Sequence, residues 1–152
     1  MTYDYVAGFV DGEGSISIAA EKHRNKRNIA FRPMLSVSNT HRGVLDEIRD
    51  FLSTGRVHLH RRRDEKHRQS YVLHVSGPGL LTVLQELAPR LIVKRAQAEV
   101  VIEFMQRRKL LRTRRIGEKE IAMVERLRTL NARPAHKGRP IRDLSPHRAG
   151  MP

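Results

Sequence analysis

Two hydrophobic periodicities alternate along the chain and predict an ordered series of helices and strands. Apolar and polar residues alternate, as in strands with one buried face, in the segments 15–21, 29–38, 56–60 and 70–75. Apolar residues recur three and four positions apart, as in amphipathic helices, in the segments 3–11, 41–54, 77–88, 92–108 and 118–130. This order predicts an α+β fold with an αββαββα core, in which helices cover one face of a four-stranded antiparallel sheet.

Local signals mark the ends of some of these elements. Asn39 or Thr40 is expected to cap the helix that follows the second strand, and Ser76 is expected to cap the helix after the fourth. Pro33 has no amide hydrogen, so its strand is expected to be an edge strand at that point.

The predicted elements end near residue 130. Prolines and scattered basic residues beyond that point exclude regular structure. We therefore expect one domain, residues 1–130, followed by a basic, Pro-rich tail, residues 131–152.

The charge of the chain indicates its class of partner. Basic residues outnumber acidic ones, 30 against 16, which gives a formal net charge of +14 and favours binding to polyanions such as DNA, RNA or an anionic membrane surface. No apolar run approaches the roughly 20 residues of a membrane span, and the N-terminus does not resemble a secretion signal. The absence of cysteine excludes disulfides and thiolate metal sites. We expect an intracellular protein of the cytoplasm, nucleoid or an organelle, without membrane or small-molecule partners.

The sheet face that the helices leave open carries mainly hydrogen-bond donors, and basic turns stand at both hairpin tips. A two-stranded ribbon of this kind fits the DNA major groove, where such side chains contact base edges and phosphates. The simpler interpretation is a solvated face, which the high positive charge disfavours. The residues expected to contact DNA are Ser17, Glu21, Arg24, Arg32, Met34, Ser36, Arg56, His58, His60, Arg62, Ser70 and His74.

Residues 5–18, YVAGFVDGEGSISI, combine a short helical run with a carboxylate at its end and a strand directly after it. Gly8 and Gly12 are four residues apart and therefore share one helical face, where another backbone can approach closely. Glu13, flanked by glycines, is expected at the end of this tightly packed helix. A calcium-binding loop is excluded, because Ile16 stands where such a loop requires glycine.

The run YVAGFVDGEG resembles the signature of the LAGLIDADG homing endonucleases, and the order of elements over most of the chain resembles the αββαββα core of that family. Glu13 stands where the family more often has Asp; both are hard oxygen ligands. The resemblance implies a site-specific endonuclease for double-stranded DNA that spreads mobile introns or inteins, with staggered cuts across the minor groove that leave 3′ overhangs. The residues at matching places are Ala7, Gly8, Asp11, Gly12 and Gly14.

The motif occurs once in this chain, and family members with a single motif act as homodimers. The resemblance therefore implies a symmetric dimer whose signature helices pack through Ala7, Gly8, Asp11 and Gly12. A two-fold axis supplies the second carboxylate that is needed to cut the other strand of a long pseudo-palindromic site. Asp11 is expected to cap or brace the dimer helices rather than to bind metal.

Phosphodiester hydrolysis requires an activated water and neutralisation of developing charge, which divalent metals held by carboxylates provide. Glu13, assisted by the backbone carbonyl of Gly12, is the expected ligand of Mg²⁺. Mn²⁺ is expected as a substitute, and Ca²⁺ is expected to bind without supporting cleavage.

The resemblance also implies polar partners for Glu13. Asn39 is expected to help order the water, and Lys94 to stabilise the phosphate or tune the water. His41 or Arg42 is expected to supply a further basic side chain. Asn39 as a plain helix cap and Lys94 as a solvated lysine at a helix start are the alternatives.

A non-cutting nucleic-acid binder on the same fold, such as an intron maturase or a DNA-binding regulator, is the main alternative function. Glu13 together with Lys94 favours cutting, because a binder has no need to place a carboxylate among phosphates. A basic RNA-binding protein of ribosomal type suits the composition but leaves the glycine and carboxylate segment unexplained. His58 and His60 share one strand face as in a zinc site, but no cysteine or third ligand accompanies them, so DNA contact is favoured.

Overall fold

The computed structural model describes residues 1–22, 29–60, 68–111 and 116–132, and the predicted α+β architecture is confirmed. The expected DNA contacts Arg24 and Arg62, and the tail beyond residue 132, lie outside the described residues. The elements in chain order are α1 (Tyr3–Glu13), β1 (Gly14–Lys22), β2 (Ile29–Asn39), α2 (Arg42–Leu52), β3 (Arg56–Leu59), β4 (Tyr71–Ser76), α3 (Pro78–Leu87), a 3₁₀ turn (Ala88–Arg90), α4 (Arg95–Leu111) and α5 (Glu118–Asn131).

The strands form one four-stranded antiparallel sheet in the order β1-β2-β4-β3. Leu35 of β2 lies opposite Ile16 of β1 and Val75 of β4, and each of these residues is at most 1% exposed. They share one core with apolar residues of all five helices in the described ranges. The helices therefore cover the sheet face that the alternating pattern marked as apolar, and they leave the polar face open.

Pro33 stands where β2 changes from an edge strand to a central strand. It pairs with Ile18 of β1, whereas the pairing of β2 with β4 runs only from Met34 to Asn39. On its β4 side, Pro33 therefore has no ladder bond to lose. The prediction of an edge at this point is confirmed.

The predicted caps of α2 and α3 are both wrong, because each preceding strand ends one residue later than its alternating pattern. β2 extends through Asn39, and α2 is capped by His41, whose Nδ1 accepts a hydrogen bond from the amide of Val44 at 3.2 Å. Ser76 belongs to β4, and α3 follows Gly77 without a side-chain cap. The φ of Gly77 is 73°, a left-handed value that favours glycine at this sharp change of direction.

The last two helices are tied to the sheet and to each other by polar contacts. The side-chain amide of Asn131 donates to the carbonyl oxygen of Ile16 at 2.8 Å, which anchors the end of α5 on β1. Glu120 is 1% exposed and accepts hydrogen bonds from Nε of Arg107 on α4 and from the amide of Gly117. The buried carboxylate is thus fully engaged where α5 begins. No helix in the described ranges is both long and apolar enough to cross a bilayer.

Candidate functional site

Glu13 occupies the junction between α1 and β1, which follow each other without a loop. The junction requires a glycine at position 14, because a Cβ atom on Gly14 would lie 2.6 Å from the carbonyl oxygen of Val10. The amide of Gly14 donates to that same oxygen and closes the last turn of α1. Glu13 is therefore the last residue of the helix, and it is exposed.

A polar depression lies beside Glu13, at the end of the sheet where β1 begins and β2 ends. Glu13 and Asn39, which the sequence separates widely, are thus brought to one site. Ser70 was expected on the DNA-contacting face, whereas Ser38 and Thr40 were not predicted as site residues; their only signal in the sequence is their position beside Asn39. The residues that line the depression are Glu13, Ser38, Asn39, Thr40 and Ser70.

The donor set of this depression suits a hard divalent cation. Its side chains end in carboxylate, hydroxyl or amide groups, and oxygen ligands are those that Mg²⁺ and Mn²⁺ prefer. The carbonyl of Gly12 is among the last four of α1, which lack partners within the helix, and it is therefore available as a further oxygen. Within the described parts of the chain, no three His, Asp or Glu side chains are grouped so that they could hold a metal ion together. An ion held by Glu13 would therefore take its remaining ligands from neutral oxygens such as the carbonyl of Gly12, from water, from a phosphate or from a second subunit.

The side chain of Asn39 is oriented by the turn that leads into α2. Its Oδ1 accepts a hydrogen bond from the amide of His41 at 2.8 Å. Because Oδ1 is engaged, the NH₂ group of Asn39 is the part of the side chain that can donate hydrogen bonds to other partners. Asn39 is therefore not the cap of α2, and its place in the depression is compatible with ordering a water.

The two candidates for the further basic side chain differ in their contacts. Nδ1 of His41 is an acceptor in the cap of α2, which places the hydrogen of a neutral imidazole on Nε2. Nε of Arg42 lies 3.3 Å from Oδ2 of Asp46, and its guanidinium carbon is 5.7 Å from the centre of the Tyr71 ring. Neither residue lines the depression. Arg42 would have to leave Asp46 to act there, and an exposed pair of this kind costs little to break.

Lys94 lies directly before α4, as predicted, and it is bound to α1 rather than to the depression. Its Nζ donates to the backbone carbonyl of Asp11. The carboxylate of Asp11 accepts hydrogen bonds from the amides of Ile92 at 2.7 Å and of Lys94 at 2.9 Å. Asp11 thus ties α1 to the start of α4 within its own chain. The expectation that Asp11 also braces the paired helices of a dimer stays a prediction.

The polar face of the sheet is open to solvent, as its parity predicted. We call its residues and those that continue the β3–β4 pair the open face; all are exposed or half-buried. Nε of Arg32 lies 2.9 Å from Oε2 of Glu21, so the negative charge of Glu21 is compensated within the face. The residues of the open face are Ser17, Glu21, Arg32, Met34, Ser36, Arg56, His58, His60, Ser70 and His74.

Histidines of β3 and β4 cluster on the open face. The ring centres of His58 and His74 are 4.5 Å apart, and Arg56 lies opposite His74 in the sheet. Burial lowers the pKa of His74, and the neighbouring His58 and His60 lower it further. His74 is therefore neutral at pH 7 and becomes charged only in more acidic solution.

One side of α1 carries Gly8 and Gly12, which have no side chains. A Cβ atom built on Gly8 or on Gly12 would meet nothing within 4 Å. Tyr5 on the same side is 50% exposed, and its ring stacks on that of Phe9 at a centroid distance of 6.0 Å. Ala7 is 1% exposed and belongs to the core of the chain itself, and its role in a dimer contact stays a prediction.

Two strongly exposed apolar residues lie beside α1. Ile92 is 86% exposed and Val93 is 68% exposed, although both are apolar. Their amides donate to the carboxylate of Asp11, which holds the segment beside α1. Exposed apolar surface of this kind typically marks an interaction site. We call the set the α1 patch; its residues are Tyr5, Gly8, Phe9, Gly12, Ile92 and Val93.

Comparisons with known proteins agree with this architecture. The model of the LAGLIDADG endonuclease family matches residues 6–85. DNA endonuclease I-CvuI of Chlorella vulgaris is 30% identical over 110 residues, which are 70% of this chain and 65% of that protein. This chain therefore matches slightly less than two thirds of the length of that relative.

Solved structures of related folds extend over more of the chain. I-CvuI in complex with its target in the presence of 2 mM Ca matches with a TM-score of 0.73 and 24% identity, over 91% of this chain and 83% of that one. The archaeal intron-encoded homing endonuclease I-Vdi141I, complexed with DNA, matches with a TM-score of 0.69 and 22% identity, over 93% and 88%. These likenesses show a common fold. Since the family model covers more than half of the sequence, the chain belongs to the LAGLIDADG endonuclease family.

Proposed function

We propose that this chain is a homing endonuclease that acts as a homodimer on a long pseudo-palindromic site in double-stranded DNA. It hydrolyses one phosphodiester in each strand, with staggered cuts across the minor groove that leave 3′ overhangs. The observation that carries the proposal is the exposed carboxylate of Glu13, which ends α1 in a polar depression at the end of the open face. The DNA complexes of I-CvuI and I-Vdi141I, which have the same fold, support DNA as the substrate.

Glu13 and the carbonyl of Gly12 are the proposed ligands of Mg²⁺, for which Mn²⁺ substitutes, while Ca²⁺ permits binding without cleavage. A bound divalent ion supplies Lewis-acid stabilisation of the phosphate and lowers the pKa of a bound water. The oxygen donors around Glu13 support this choice of ion. Structures of I-CvuI with DNA in 2 mM Ca, and in 2 mM Mg with DNA not cleaved, associate divalent ions with that protein.

The remaining polar residues have roles that follow from their contacts. Asn39, held by its bond to the amide of His41, orients the attacking water through its NH₂ group. Lys94 has one of its three ammonium donors on the carbonyl of Asp11, which leaves two donors for a phosphate oxygen. Arg42, at the start of α2, contributes positive charge near Asn39 once it is released from Asp46.

The dimer forms through the α1 patch, with α1 of each subunit packed against α1 of the other. Gly8 and Gly12 allow the two backbones to approach, and the stacked rings of Tyr5 and Phe9 supply apolar area at the edge of the contact. Pairing of the helix ends brings the two copies of Glu13 together, one for each strand. A two-fold axis then aligns both open faces along one duplex.

A randomised duplex library tests the proposed reaction directly. In Mg²⁺, we expect recovery of cut molecules with 3′ overhangs and a consensus of two-fold symmetry. In Ca²⁺, we expect enrichment of the same sites without cutting. Binding without cutting in Mg²⁺ and Mn²⁺ would reject the nuclease in favour of a non-cutting binder, and the absence of any selected site would reject specific DNA recognition.

The histidines of the open face predict how DNA affinity depends on pH. As pH falls from 8 to 5, protonation of His74, whose pKa is held below its usual value by burial and by its histidine neighbours, adds positive charge beside Arg56, so affinity measured in Ca²⁺ should rise. Each imidazolium that contacts a phosphate should steepen the slope of log K against log salt by about 1. His74→Gln should flatten the pH dependence, whereas Arg56→Gln should weaken binding equally at both pH values, because guanidinium does not titrate in this range. Fluorescence anisotropy measures both, and a pH-independent wild-type affinity would contradict the contact.

A further inference from the structure

Asp11 joins two helices that are distant in sequence. Its Oδ2 accepts hydrogen bonds from the amides of Ile92 at 2.7 Å and Val93 at 3.2 Å, and its Oδ1 accepts one from the amide of Lys94 at 2.9 Å. These three amides lie directly before Arg95, the first residue of α4. Backbone amides at the start of a helix have no carbonyl partner within the helix and need an acceptor from elsewhere. Burial raises the pKa of Asp11, but the bonds from these amides and the charge of Lys94 outweigh it and hold the pKa below its usual value. Asp11 is thus ionised at neutral pH and caps α4 from another helix.

The same residue also receives the side chain of Lys94. Nζ of Lys94 donates to the backbone carbonyl of Asp11, which is one of the last carbonyls of α1 and has no partner within the helix. The negative end of the helix dipole lies there and favours an ammonium group. Lys94 is therefore tied to Asp11 at both ends, through its amide and through Nζ. Glu13 follows Asp11 by two residues, so Lys94 is bound close to the end of α1 that carries Glu13.

We propose that Asp11 is a positioning residue, which holds the segment of Ile92, Val93 and Lys94 against α1 so that the ammonium of Lys94 stands at the end of the helix that carries Glu13. This inference rests on the proposed function, because it concerns the rate of strand cleavage. Without the carboxylate of Asp11, the backbone of Lys94 is no longer fixed, and the ammonium loses its fixed approach to the reacting phosphate. Displacements of about 1 Å at such groups cost up to about 100-fold in rate.

A purely structural cap would behave differently from a positioning residue. Loss of a cap lowers the melting temperature but leaves the rate of the folded enzyme unchanged. Loss of a positioning residue slows cleavage at saturating DNA, leaves the dissociation constant unchanged, and acts through Lys94 alone. The two interpretations therefore differ in the chemical step and in the coupling between Asp11 and Lys94.

A double-mutant cycle measures this coupling. We expect Asp11→Ala and Lys94→Met each to lower the single-turnover cleavage rate in Mg²⁺ by about 10- to 100-fold. The double variant should cleave at about the rate of Lys94→Met alone, and dissociation constants in Ca²⁺ should stay within about threefold of the wild type. If Asp11→Ala fails to fold, Asp11→Asn takes its place, since it keeps one acceptor and the size of the side chain.

Asp4→Asn is the matched control, because Asp4 is also on α1 but pairs with Arg90 at 3.4 Å on the surface. It should leave rate and binding unchanged. Losses that multiply in the double variant, or a folded Asp11 variant with the wild-type rate, would overturn the positioning role. Failure of the wild-type chain to cut any DNA would instead overturn the proposed function, on which this inference depends.

Discussion

Replacement of Glu13 by glutamine is expected to abolish strand cleavage and to leave DNA binding largely intact. Glutamine keeps the size of the side chain but removes the charge that holds a divalent ion. A metal ion stabilises the transition state by several kcal/mol, and about 4 kcal/mol corresponds to a rate loss of about 10³-fold. Cleavage is measured in Mg²⁺ under single-turnover conditions, and binding is measured in Ca²⁺ or without divalent ions.

The chain offers a matched control for this change. Glu103→Gln is the same chemical substitution at an exposed position of α4, on the side of the sheet opposite the open face, and it should keep the cleavage rate. Glu13→Asp should retain part of the activity, because the carboxylate remains but its reach is shorter. Equal loss of cleavage and binding in Glu13→Gln, or full cleavage by that variant, would refute the role of Glu13.

Replacement of Gly12 by leucine is expected to separate folding from assembly. Nothing lies within 4 Å of a Cβ atom at Gly12, so the subunit itself has room for a side chain. Gly is a poor helix former, by about 1 kcal/mol relative to better residues, so the folded subunit should be as stable as before or more stable. The two-fold contact would be overpacked at both copies of the residue. If overpacking costs about 1 kcal/mol or more of dimerisation free energy at each copy of the residue, dimer affinity should fall at least about 30-fold.

Light scattering and thermal melting test this prediction together. The wild-type chain should have twice the mass of the 17.5 kDa subunit, and Gly12→Leu should shift toward one subunit at the same concentration without a lower melting temperature. Cleavage of both strands should fall in parallel with dimerisation. Glu125→Leu places leucine at an exposed position of α5, away from α1, and should change neither the mass in solution nor the melting temperature. A wild-type chain that is a single subunit even on DNA would refute the dimer.

The faces of the sheet could be predicted from the sequence because strand side chains alternate strictly. Ile16, Leu35 and Val75 were assigned to the covered face by parity alone, and all are buried. Ser17 and His74 were assigned to the opposite face in the same way, and both are accessible. Parity is a local property, so it does not depend on which strands become neighbours.

Helix boundaries were less predictable, because hydrogen bonds from elsewhere in the fold decide them. Asparagine is a preferred residue at helix N-caps, yet β2 pairs with β4 as far as Asn39, and His41 caps α2 instead. The apolar residues Ile92 and Val93 resemble the start of a helix, but their amides bind Asp11, and α4 begins at Arg95. Side chains that compete for backbone donors move an element end without changing its periodicity.

The sequence by itself determined the order of elements, the two faces of the sheet, the basic character of the molecule and the carboxylate that ends the glycine-bearing helix. These features follow from periodicity, composition and a contiguous motif. Only the tertiary structure decided the strand order β1-β2-β4-β3, the meeting of Glu13 with Asn39 and Ser70, and the link from Asp11 to a segment 81 residues later. Contacts of this kind join residues that no local pattern relates, because their partners are selected by the packing of the whole core.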